Sequence, residues 1–102
     1  MTLADDLGSA AAQAGARGDV ANAGAITWTV AGRAFATLDP GAGSAAFRLD
    51  PVLAAAARRT PDTKGSDRGP EWIEFAPRDY DGHASDRAIA WFAAAARRAA
   101  AG

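Results

Sequence analysis

The chain has 102 residues, room for one domain and too few for two independent cores. Its apolar share is 49%, but 30 of those residues are alanine, so only 20 positions carry Val, Ile, Leu, Met, Phe, Tyr or Trp and the core must be thin. Eleven Lys plus Arg against twelve Asp plus Glu leave a net charge of −1, which excludes the broad positive field of a nonspecific nucleic-acid binder; the lack of cysteine and the single histidine exclude disulfides, thiolate nucleophiles, Cys-ligated zinc and multi-His clusters, so neither metal nor cofactor is expected.

Thr2 and Asp5 have capping-box spacing, and Leu3, Leu7, Ala10, Ala11 and Ala14 share a helical face, which predicts a helix over about 3–14. Asp5 and Asp6 interrupt this stretch, so it does not read as a secretory leader, and no run approaches a membrane span. A soluble cytoplasmic protein, monomeric in the simplest case, is the expectation. Gly15 to Gly24 holds three glycines and no hydrophobic period, the composition of a loop.

Ile26, Trp28 and Val30 alternate with threonines as in a half-buried strand. Gly32 and Arg33 suit a tight hairpin into a second strand, Ala34 to Leu38, and Asp39 to Ser44 is a further turn into a third, Ala45 to Leu49. There Ala45, Phe47 and Leu49 face one way while Ala46 and Arg48 face the other. The Gly41-Ala42-Gly43-Ser44 run is not a phosphate loop, since a strand follows it rather than a helix.

Asp50-Pro51 reads as the cap and first turn of a short helix ending near Arg58 and Arg59. Thr60 to Gly69 lacks any bulky apolar group and reads as an exposed loop. Glu71 to Ala76 is a further strand, with Ile73 and Phe75 opposite Trp72 and Glu74. Ser85 is placed to cap a last helix over about 86–100, docking through Ile89, Phe92, Ala93 and Ala96. The expected fold is α+β and two-layered: an antiparallel sheet of four to five strands with an N-terminal, a short middle and a C-terminal helix packed on one face.

Gly32-Arg33-Ala34-Phe35-Ala36, Phe47-Arg48-Leu49-Asp50-Pro51 and Arg68-Gly69-Pro70-Glu71-Trp72, in that order, resemble segments of the MmcQ/YjbR-like family of small α+β proteins. The family tends to show Gly-Lys-x-Phe-Ala, a basic residue before a helix, and a Gly-x-x-Trp region. The resemblance covers roughly residues 25–100 within a single domain spanning 1–102, with arginine at positions 33 and 48 where lysine is typical. It implies a non-enzymatic binding domain, commonly labelled DNA-binding by analogy with winged motifs.

Two surfaces are candidates. On the last helix, 100° per residue places Arg87, Trp91, Ala94 and Arg98 together, almost opposite Ile89, Phe92 and Ala96, where indole could stack on a base while guanidinium groups meet phosphate; the plainer alternative is an Arg87–Trp91 pair covered by a loop. On the sheet face away from the helices, Arg48 and Trp72 project with Thr27, Thr29 and Glu74, with Arg33 at the rim; the plainer alternative is a solvated face with an Arg48–Glu74 pair. His83 among Asp79, Asp81 and Asp86 is read as an exposed or capping histidine, and no catalytic residue is assigned. The expected function is weak DNA binding through Arg33, Arg48, Trp72, Arg87, Trp91 and Arg98, and the alternative is a protein-interaction module or small-ligand scaffold.

Overall fold

The computed structural model describes residues 2–102. Thr2 begins the first helix as its spacing predicts: its hydroxyl accepts from the Asp5 N–H at 3.1 Å, and the Asp5 carboxylate accepts from the Thr2 N–H at 3.3 Å. This helix, α1 (Leu3–Ala14), stops at Gly15, whose φ of 66° suits a residue without Cβ.

Six antiparallel strands follow in one sheet: β1 (Arg17–Val20), β2 (Ile26–Val30), β3 (Arg33–Asp39), β4 (Ser44–Arg48), β5 (Thr63–Ser66) and β6 (Gly69–Phe75), in the order β1-β2-β3-β4-β6-β5. The α+β class stands, but the strand number exceeds the expected four to five, because both segments read as loops contain edge strands. β1, Arg-Gly-Asp-Val, is exposed along its whole length, and β5, Thr-Lys-Gly-Ser, has no buried residue. An edge strand that buries nothing carries no alternation to read; the neighbouring strand's hydrogen-bonding groups form it. Gly18 also has a steric reason, since a Cβ there would lie 3.0 Å from Trp28 Nε1.

The β2–β3 hairpin turns through Ala31 and Gly32, with φ of 53° and 75°, while Val30 pairs with Arg33. Both φ are positive, as a type I′ turn requires, so the turn lies one residue earlier than Gly32-Arg33. Further along, Trp28 pairs with Ala36 and Thr29 with Ala34, which leaves Phe35 as an extra residue. Phe35 and Ala36 are consequently both buried, and the alternation is reset before Arg33.

Between β4 and β5 lies α2 (Pro51–Ala57), capped as expected by Asp50, whose carboxylate accepts from the Val52 and Leu53 N–H groups at 3.0 Å. The last helix, α3 (Gly82–Ala101), starts earlier than predicted because Asp81 caps it through the Ala84 N–H. Ser85 instead donates to the buried Asp6 carboxylate at 2.7 Å, which also accepts from the Tyr80 hydroxyl at 2.5 Å, tying α1 to the start of α3.

All three helices share one core with Trp28, Leu38, Phe47, Ile73 and Phe75, so they cover the same side of the sheet. α3 docks through Ala84, Ala88, Trp91, Phe92, Ala95 and Ala99. Phe92 lies edge-on to Trp28 and Phe35 at 5.2 and 5.0 Å, and Trp91 edge-on to Phe75 at 5.3 Å. The predicted stripe is therefore rotated: Phe92 and Ala96 are buried as expected, but Ile89 is 39% exposed. On an alanine-rich helix the largest side chains choose the phase, and burying the adjacent pair Trp91 and Phe92 centres the docking face between them. One flank, with Ile89, Ala93 and Ala96, then lines a groove with Ala10 and Ala14 of α1. By the same geometry Arg87 and Arg98 fall on the other flank. Among the described residues, no helix is long and apolar enough to cross a membrane.

Candidate functional site

Arg98 stands in the last turns of α3, near the ends of two strands that each contribute an arginine: Arg33, the first residue of β3, and Arg48, the last of β4. Together with Phe35, Ala95 and Ala99 they line a recess of about 210 Å³. The β3 bulge brings Arg33 to the helix side, where its Nη1 donates to the Ala99 carbonyl at 3.3 Å. A guanidinium here offsets the negative end of a 20-residue helix.

Glu71 joins the other two arginines. One carboxylate oxygen accepts from Arg48 Nη2 at 3.2 Å, and the other accepts from Arg98 Nη2. These bonds, that from Arg98 foremost, hold the Glu71 carboxyl below its usual range against a partial opposing effect of burial. The three side chains keep 41%, 28% and 35% of their surface in the order Arg48, Glu71, Arg98, so the cluster stays in contact with solvent. Arg48 Nε is buried with no hydrogen-bond partner among the described residues. The side chains of Arg33, Arg48, Arg98 and Glu71 together carry an excess of two positive charges in a chain of net charge −1.

The six sequence-predicted site residues do not form one surface. Arg33, Arg48 and Arg98 meet, although the sequence placed them on two different faces. Trp72 is half-buried, is the Cα partner of Arg48 across β4 and β6, and carries Arg68 5.2 Å from its ring centroid. Arg87 donates to the Pro61 carbonyl at 2.9 Å and lies 5.0 Å from the Phe75 ring, closing the edge of the aromatic core. Trp91 is only 7% exposed, so it is a core residue and no stacking platform. The rotation of α3 that buries it is the reason.

The expected Arg48–Glu74 pair is replaced by Arg48–Glu71. Arg48 is the Cα partner of Trp72, whereas Glu74 pairs with Ala46 further along the sheet. Glu71 is the member of the arginine cluster that pattern reading missed; its position immediately before Trp72 was the available signal. Arg68 was missed because it sits in a turn assigned to an exposed loop.

The remaining motifs are accounted for by local structure. Gly41 and Ala42 direct their N–H groups to Asp39 Oδ1, closing the β3–β4 turn. His83 is exposed on the first turn of α3, beside an open depression it shares with Asp62, Arg78 and Asp79. Among the described residues no three His, Cys, Asp or Glu side chains gather as a metal site. No family model, curated protein or solved structure matches the chain.

Proposed function

We propose that this chain is a non-catalytic binding domain that holds a nucleic-acid phosphate in the recess formed by Arg33, Arg48 and Arg98. The observation that carries the reading is the convergence of three arginines from β3, β4 and α3 on one concavity, two of them paired with a single side-chain carboxylate, Glu71. Guanidinium groups present forked donors matched to phosphate oxygens. The three segments that resemble the MmcQ/YjbR-like family contribute Arg33, Arg48 and Glu71 respectively. The charge balance favours a local contact over an extended basic track.

The test is an NMR titration of the isotopically labelled chain with short DNA at increasing salt. Shifts should gather on Arg33, Arg48, Arg98 and Ala99, and log affinity should fall with log salt at a shallow slope of about −1, as for one neutralised phosphate. No binding at low salt overturns the reading. Shifts gathered on Trp72 and Arg68 would move the function to the open sheet face, as a protein-interaction or small-ligand surface.

A further inference from the structure

Two of the three arginines that line the recess are already engaged by an anion. Glu71 engages both Arg48 and Arg98, so an incoming phosphate must either share those donors with the carboxylate or displace it. The recess is also walled by Phe35, Ala95 and Ala99 rather than extended by further cations. Duplex DNA presents a charge every ~1.7 Å of its axis and rewards a row of cations, whereas a terminal phosphomonoester concentrates nearly two charges on one group at neutral pH.

Resting on the phosphate-binding reading above, we infer that the ligand is a terminal phosphomonoester, such as the 5′-phosphate of a nucleic-acid strand, and that Glu71 is a built-in counter-anion which it displaces. The excess of two positive charges among the four side chains suits a dianion, and an internal diester, with one charge, exchanges less favourably for a carboxylate that is itself singly charged. Arg48 and Arg98 stay solvent-accessible enough for Glu71 to swing out without unfolding the core. In this arrangement Glu71 keeps the arginines apart from adventitious monoanions while the ligand is absent. Arg33, held by Ala99, keeps the third guanidinium in place.

The experiment compares the unaltered chain with Glu71→Gln and Arg48→Gln, using single strands of one sequence with a 5′-phosphate or a 5′-hydroxyl, and inorganic phosphate as competitor. The 5′-phosphorylated strand should bind about tenfold more tightly than its hydroxyl counterpart, Glu71→Gln should tighten that binding by about tenfold more, and Arg48→Gln should abolish the preference. Inorganic phosphate should compete. Equal affinity for the two strands, with binding intact, overturns the terminal-phosphate inference and leaves the nucleic-acid reading standing. Glu71→Gln binding no tighter than the unaltered chain overturns the displacement. No binding of either strand to any of the three proteins overturns both readings together. The side-chain Nε–H resonances of Arg48 and Arg98 in the unaltered chain give a readout that needs no variant: they should move at saturating inorganic phosphate, and their failure to move overturns the inference.

Discussion

Each end of α3 holds a carboxylate that accepts from two side chains, and the two arrangements serve opposite ends. At the N-terminal end, Asp6 is buried and its donors are the neutral hydroxyls of Tyr80 and Ser85. At the C-terminal end, Glu71 is half-buried and its donors are guanidinium groups in contact with solvent. Asp6 itself is buried and is bonded by neutral hydroxyls across two elements, so its network acts as a lock between α1 and α3. Charged, hydrated donors in excess of their counter-anion are what the proposed exchange at Glu71 requires. Burial of the carboxylate and the charge of its donors, more than the number of hydrogen bonds, distinguish the two arrangements.

The largest effect should come from the segment that connects the two ends. Phe92→Ala removes a fully buried ring in contact with Trp28 and Phe35, and a loss of about 3–5 kcal/mol is expected in chemical denaturation. An unchanged midpoint would show that α3 docks through another face. The lock should come next: Asp6→Ala leaves the Tyr80 and Ser85 hydroxyls without their acceptor and should cost about 1–3 kcal/mol by the same measurement.

The lock also has a pH signature. Hydrogen bonds from Tyr80, then Ser85, lower the Asp6 pKa in the folded chain, so its contribution is complete above the unfolded value of ~3.9 and is lost as pH falls through the folded one. Burial, then the bond to Asp6, pushes the Tyr80 hydroxyl up to about 12, so its share is whole below the ordinary ~10 and disappears as pH rises through the folded value. Stability measured against pH should therefore show an acid limb that Asp6→Asn flattens and an alkaline limb that Tyr80→Phe flattens. Limbs unchanged in both variants would remove the network from the account of stability.

Smaller effects test the contrast from the other side. Ile89→Ala, on the flank of α3, should cost about 1 kcal/mol or less, against the several expected at Phe92. Glu71→Gln should leave the denaturation midpoint close to that of the unaltered chain while changing anion affinity. A midpoint shift as large as that of Asp6→Ala would make Glu71 a lock as well and erase the distinction between the two ends.

Several parts of this molecule were legible in the chain. The Thr2–Asp5 box, the Ile26-to-Val30 alternation and the Asp50-Pro51 cap are interactions among residues at most a few positions apart, so composition and spacing record them directly. Arg33, Arg48 and Arg98 were named as candidates from their residue type and setting, but on separate surfaces. Their meeting depends on the Phe35 bulge and on the rotation of α3, and neither has a local signature. The same rotation turned Trp91 from an expected platform into core.

Short-range chemistry in the sequence thus determined where α1, α2 and the four inner strands lie and that only a thin core could form between sheet and helices. Tertiary structure alone decided that Arg-Gly-Asp-Val and Thr-Lys-Gly-Ser would be strands, because their ordering comes from hydrogen-bonding groups on β2 and β6. It also decided which face of an alanine-rich helix would turn inward, because alanines distinguish the faces so weakly that the fit of Trp91 and Phe92 against distant aromatic rings sets the phase, and with it the position of Arg98 beside Glu71.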